Sequence, residues 1–404
     1  MYACNGKKAC IGGLPQTCSE NYDESVQACS KCDKDYFNNN GDCQKCDGGN
    51  IALPAILIGV GILLLGAAYI LCNSPHNPHT GPLLFTCIAL GMVVIATQSL
   101  SVMNEVFNFE KEPLQSMMSV TTFVRFNKDL WRVDCVMEAT TMGLFIGTNM
   151  MPNFVVIVYA GGFVTALLLA TITGNQTRWM WAQNGNIWAP FHPTRFLNAL
   201  GLIIQTLFVV VTLNCLEPFT CSPNPNGTTS MALFRDTTCS FEGDHMTMVI
   251  LSLVFFAVYS LGFFIYCFWL ARHLPVWAAS EEGSSGHWWF KACSFLYRRF
   301  RPDSYYFGVI VLGRNFLIAV VPTVSSSASI QLVVLGAILV VSMVVTCRQF
   351  PWSTKGLNYI DIAVLGLLTL MVIGAHVFVP TPTEDIQDAF VWILVMALTK
   401  KSFL

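Results

Sequence analysis

Charge is what this chain has least of. Only 11% of its 404 residues are Asp, Glu, Lys or Arg, and 54% are hydrophobic; an ordinary soluble domain carries about a quarter charged residues. So few charges cannot cover a water-facing surface, which excludes a soluble globular protein. Alternation is missing too: the run Ile51 to Cys72 (IALPAILIGVGILLLGAAYILC) has none, which excludes a membrane β-barrel, whose strands alternate over about ten residues. No H-E-x-x-H, G-x-S-x-G or P-loop sequence occurs, and the His76-x-x-His79 pair has no further metal-type ligand near it in sequence. No enzyme, catalytic residue, metal site or cofactor is therefore expected. The potassium-filter sequence TVGYG is also absent.

What fills the chain is a series of apolar runs about 20 residues long, the length a helix needs to cross roughly 30 Å of hydrocarbon. They lie near Ile51–Cys72, Pro82–Met103, Met151–Thr173, Phe196–Leu216, Met246–Ala271, Tyr305–Thr323, Ala328–Cys347, Asn358–Pro380 and Ile386–Thr399. The expected fold is an all-α polytopic membrane protein of about nine transmembrane helices, residues 51–404, behind a small disulfide-rich extracellular segment, residues 1–50. The uncharged stretch from Ala139 to Thr177 is long for one helix and short for two. One span is assigned, with a lead-in helix or surface segment before Met151.

Seven cysteines, Cys4, Cys10, Cys18, Cys29, Cys32, Cys43 and Cys46, crowd the first 46 residues. Cysteine at this density in a short segment reads as a disulfide framework, which persists only outside the cytosol. The C-x2-C-x10-C-x2-C spacing from Cys29 to Cys46 also suits tetrahedral zinc, but the external location favours disulfides. Seven is odd, so one partner lies elsewhere: Cys135 or a cysteine upstream of this sequence. With the N-terminus outside or luminal, the inside loops hold Arg178, Arg195, Arg272, Lys291, Arg298, Arg299, Arg301, Arg348, Lys355, Lys400 and Lys401, eleven basic residues against three acidic ones. The basic-inside bias thus agrees with the cysteines, and the C-terminus falls in the cytosol of a plasma membrane or endomembrane protein. Met1 opens onto polar sequence without an apolar signal region. Either the first span acts as a signal anchor or the N-terminus lies further upstream; the short last span raises the same expectation of truncation at the other end.

The external loop 217–245 carries Cys221 and Cys239, expected to form a disulfide, and the sequon Asn226-Gly227-Thr228. The external segment 104–141 holds FVRFNKDLWRVDC, Phe123 to Cys135, read as an amphipathic connector. Together with the start YACNGKKACIGG, the loop CSPNPNGTTSM and the segment FRPDSYYFGVIVLGRNFLIAVVP from Phe300 to Pro322, it carries a resemblance. The chain resembles multi-pass membrane proteins of unicellular eukaryotes that join ephrin-receptor-like and growth-factor-receptor-like cysteine repeats to a membrane region similar to TRP channel-like and fungal flavin-carrier-like proteins. That resemblance implies an ion channel or transporter. This chain departs from it in keeping only a remnant of the repeats and no sizeable cytosolic tail.

Arg314 lies inside the sixth span beside Asn315. An arginine near mid-membrane costs roughly 2.5 to 3.5 kcal/mol on insertion scales, so it needs a partner, and the nearest acid by depth is Asp361 in the eighth span. The pair either lines a solute path or locks two helices. One arginine is too few for a voltage sensor. Gln98, Gln205 and Gln331 are further polar positions in spans, read as interhelical glue. In the inside loop 272–304, WWFKACSFLYRRFR places Lys291, Arg298, Arg299 and Arg301 among large apolar side chains, as in a helix lying on an anionic leaflet. The partners implied are the bilayer, anionic lipids at the cytosolic face and further copies of the chain, with no nucleic acid. A TRP-like channel or transporter is the leading reading and a receptor or adhesion protein the alternative. The topology also predicts that Asn226 is glycosylated and that Asn175, in the inside sequon Asn175-Gln176-Thr177, is not. Asn226→Gln should abolish the glycosidase-sensitive mobility shift of the expressed protein, and Asn175→Gln should leave it unchanged; the reverse pattern would invert the topology.

Overall fold

The computed structural model describes residues 17–23, 29, 31–39, 42–47, 52–53, 55–56, 58–63, 66, 82–106, 135, 140–172, 193–224, 227–281 and 284–376. Helix dominates: α1 (Pro82–Val106), α2 (Thr141–Asn149), α3 (Met151–Ile172), α4 (Pro193–Leu216), α5 (Gly243–Ala278), α6 (Ser285–Ala292), α7 (Ser294–Tyr297), α8 (Phe307–Val324), α9 (Ala328–Gln349) and α10 (Lys355–His376). Among the described residues, five helical segments, Thr194–Phe219, Gly243–Ala278, Phe307–Val324, Ala328–Gln349 and Lys355–Ala375, are long and apolar enough to cross a bilayer. The protein is thus a multi-pass helical membrane protein. Of the other expected runs, 82–103 and 151–173 fall in α1 and α3, 51–72 is described only at separate helical positions, and 386–399 lies outside the described residues with Lys400 and Lys401.

The short links 325–327, between α8 and α9, and 350–354, between α9 and α10, reverse the helix direction and give the bundle two ends. Phe350 stops α9 with a left-handed backbone (φ 44°) whose N–H bonds the Thr346 carbonyl, and Pro351 prevents the helix from resuming. Residues 350–354, the α6–α7 segment and the starts of α4, α8 and α10 form one end, here called the basic end. The opposite end carries β3 (Cys221–Pro223) and β4 (Thr229–Met231), paired antiparallel and closed by the Cys221–Cys239 disulfide. Thr141, opening α2, donates to Asp236 at that end. Residues 141–149 are therefore a short helix ahead of α3, and Phe145 buries against Cys215, Met231 and Phe234.

Apolar side chains from α1, α4, α8, α9 and α10 share one core, including Met103, Leu213, Ile318, Leu335 and Leu368. The outer faces are apolar as well: Ile250, Leu253, Val258 and Ile265 on α5 and Leu367, Leu370 and Ile373 on α10 are exposed, as fits a surface wetted by hydrocarbon. Hydroxyls within the helices turn back on their own turns, Thr97 to the Val93 carbonyl (2.9 Å) and Thr369 to the Leu365 carbonyl (2.8 Å), which satisfies them where no water is at hand. Midway along α5 the ladder widens to a π-turn, Phe256–Leu261, and the buried Ser260 hydroxyl lies 3.0 Å from that of Thr212 on α4.

Before the bundle, β1 (Tyr36–Asn39) and β2 (Asp42–Lys45) form a hairpin. The cysteines pair as Cys18–Cys29, Cys32–Cys43 and Cys46–Cys135. The four that matched zinc spacing thus divide among three disulfides, and Cys135 takes the odd partner. Cys4 and Cys10 lie outside the described residues, as does Asn226.

Two glycines seat the α6–α7 segment. A Cβ on Gly201 of α4 would come within 2.5 Å of the Phe295 ring, and one on Gly308 of α8 would strike the Leu296 carbonyl. The apolar pair Phe295–Leu296, both buried, is wedged between α4 and α8 through these gaps. Gly313, by contrast, has only ordinary contact, with the Phe264 ring at 3.6 Å. Gly308→Ala should therefore lower the stability of the detergent-solubilised protein by about 1–3 kcal/mol through overpacking against backbone, with Gly313→Ala neutral or slightly stabilising. Thermal unfolding of the two variants checks this; equal melting temperatures would refute the wedge.

Candidate functional site

The polar centre of the basic end grows from two helix starts. Arg314 is seven residues past Phe307 in α8, and Asp361 six past Lys355 in α10, so both sit about 9–11 Å along their helices at about 1.5 Å per residue. Arg314 Nη1 lies 3.5 Å from Asp361 Oδ1, with the two side chains only 10% and 4% exposed. The Arg314 Nε donates to Asn315 Oδ1 at 3.4 Å. The second Asp361 oxygen accepts the Trp352 indole N–H at 2.9 Å. Both carboxylate oxygens are thus engaged, as a charge withdrawn from water requires.

Trp352 reaches this position because Asn358 folds the 350–354 loop back. Its Oδ1 accepts from the Trp352 backbone N–H (3.1 Å), and its amide donates to the Trp352 and Thr354 carbonyls (3.2 and 3.0 Å). The loop in turn holds the segment after α7: Arg301 N–H donates to the Pro351 carbonyl (2.8 Å) and Ser353 N–H to the Arg299 carbonyl (3.1 Å), so that Phe300 and Trp352 face each other with ring centroids 4.7 Å apart.

The expected lipid-facing cluster divides here. Lys291 and Arg301 are exposed and Arg298 is half-buried, and Arg301 pairs at the surface with Asp303 at 3.4 Å. Arg299 departs from the expectation: the residue as a whole is half-buried, but its Nε and Nη2 are enclosed and have no hydrogen-bond partner among the described residues. The guanidinium stands over the rings of Phe300 (5.2 Å) and Trp352 (5.9 Å). Burial, and secondarily the charge of Arg314, push it below the usual guanidinium value to about 10, with Asp361 among the groups opposing the shift. It is still a cation at neutral pH.

A second polar series runs along α4. Asn198, Gln205 and Thr212 recur every seven residues, about two turns apart, and all three are buried. Asn198 Oδ1 accepts from Ser294 at 2.7 Å and Thr212 meets Ser260, but neither amide atom of Gln205 has a hydrogen-bond partner among the described residues. Gln98 donates to the Thr206 carbonyl (2.9 Å), and Gln331 to the Pro322 and Ser325 carbonyls (2.8 and 2.5 Å). Those two bridge elements; Gln205 does not. At the other end, His245 lies beside the Cys221–Cys239 disulfide, whose sulfurs are covalently paired, and its ring nitrogens meet the Pro218 carbonyl (3.1 Å) and the Phe241 N–H (3.2 Å).

The Trp352–Asp361 bond was not foreseen from the sequence, although a buried indole N–H calls for an acceptor and Asp361 is the nearest acid in sequence. No periodicity in RRFR singles out Arg299. Comparison of the chain with protein-family models, with curated proteins and with solved structures finds no match.

Proposed function

We propose that this membrane protein is a TRP-like ion channel or transporter of about nine spans, moving ions or small solutes across a plasma membrane or endomembrane. The observation that carries the reading is the Arg314–Asp361 pair, an ion pair held inside two apolar helices at one level. Ionisable side chains at that depth are costly, and they recur where a bundle opens a wet path. The α4 series supports the same reading, since an unpaired buried amide such as Gln205 fits a surface that water or solute visits.

Disulfide parity bears on the topology. Bonding Cys46 to Cys135 requires the intervening chain to return to one side, which the run 51–72 and α1 together achieve and α1 alone does not. With α3 and α4 as the next two crossings, the Cys221–Cys239 loop comes to that same side. An oxidising compartment for all four bonds supports a reading with the N-terminal module outside or in the lumen and the basic end in the cytosol. The receptor reading draws on the module clamped to Cys135.

Reconstituted proteoliposomes decide between them. Arg314→Gln and Asp361→Asn, in protein that still inserts and keeps its melting transition, should each reduce ion or solute flux at least about tenfold, the effect of roughly 1.4 kcal/mol on a barrier. Flux unchanged in both variants would refute a path at the pair, and no flux from the intact protein under any stimulus would favour the receptor reading.

A further inference from the structure

Two guanidinium groups meet one carboxylate at the basic end. Asp361 is fully engaged, Oδ1 with Arg314 and Oδ2 with the Trp352 indole, which leaves the charge of Arg299 without a hydrogen-bonded counterion. The guanidinium carbon of Arg299 stands over the rings of Phe300 and Trp352, and the two atoms without a hydrogen-bond partner among the described residues are Nε and Nη2. Those atoms form one edge of the group and carry two parallel N–H bonds, the edge that grips a planar or tetrahedral oxyanion side-on. An enclosed cation lacking an anion is costly; its lowered value of about 10 expresses that cost, which is present at every pH below this value.

The surroundings select the kind of anion. Arg298, Arg301 and Lys291 lie on the same short segment and are half-buried or exposed. Beside them runs a series of ring contacts, Trp269 with Trp277, Trp277 with Trp289 and Trp289 with Trp288, and indoles are enriched where helices meet lipid headgroups. A phosphate, with more charge than a carboxylate, suits so basic an environment. Arg299 as a whole residue is only half-buried, so rotation of its side chain can turn the free edge toward the surface.

We propose that Arg299 anchors a phosphate-binding site at the basic end of the bundle, gripping the phosphate through Nε and Nη2, with Arg298, Arg301 and Lys291 drawing it in. The phosphate comes from a lipid headgroup or from free inorganic phosphate. Its charge balances the excess guanidinium beside Arg314 and Asp361, so occupancy stabilises the cluster. The site is independent of the transport reading and stands even if the protein moves no solute.

The test uses the full chain in phosphatidylcholine nanodiscs in phosphate-free buffer, with thermal unfolding followed on adding phosphatidic acid to the bilayer, inorganic phosphate to the solution, or sulfate as a charge control. The wild type should melt higher with phosphatidic acid, and the rise should vanish in Arg299→Gln. Arg299→Lys, which keeps the charge but lacks the two-pronged edge, should need about tenfold more phosphatidic acid for the same rise, and it serves alone if Arg299→Gln does not fold. A rise with phosphatidic acid only assigns the lipid source, and an equal rise with inorganic phosphate assigns the free anion. No rise with either, an equal rise with sulfate, or a rise undiminished in Arg299→Gln and Arg299→Lys would overturn the site.

Discussion

A carboxylate inside an apolar bundle must have both oxygens answered, and the way Asp361 meets this requirement organises the basic end. One oxygen takes Arg314 from α8 and the other takes the Trp352 indole from the loop ahead of α10. The first contact fixes the relative level of two helices. The second requires the chain to leave α9 sharply, through the left-handed Phe350 and Pro351, and to be folded back by Asn358. The 350–354 loop then holds residues 299–301 by backbone bonds, so a single buried acid sets the positions of four segments.

Packing and polarity are coupled there. The wedge of Phe295 and Leu296 fits only because Gly201 and Gly308 lack a Cβ, and the same wedge carries the chain to Arg299. An arginine enclosed in this way adds a second cation to a pair already balanced. Buried ion pairs contribute little net stability over apolar replacements, and breaking one is expensive. The cluster is therefore better explained by what it does than by what it stabilises, the common ground of the transport and phosphate-site readings.

Much of this was legible in the sequence where a single physical rule acts. Apolar runs of bilayer length marked the helices, depth counting from one side brought Arg314 to Asp361, and an odd cysteine count left Cys135 or an upstream cysteine as the missing partner, of which the structure takes Cys135. The sequence did not disclose features set by tertiary contact. The π-turn at Phe256–Leu261 follows from no local residue signal, and the inward turn of Arg299 depends on rings contributed from two loops. Gln205 reads like Gln98 and Gln331 in sequence, yet only the latter two find carbonyls to bridge, because pairing depends on what the neighbouring helix presents at that level.

The central claim is that Arg314 and Asp361 form one buried unit, and a double-mutant cycle measures it most directly. Arg314→Met removes the direct partner of Asp361 and leaves only the more distant Arg299, whereas Asp361→Leu leaves two guanidinium groups without a carboxylate, and each should cost about 3–5 kcal/mol in thermal or denaturant unfolding. The account predicts that the double variant loses less than the sum of the two single losses, by at least about 1 kcal/mol. Losses that simply add would contradict it.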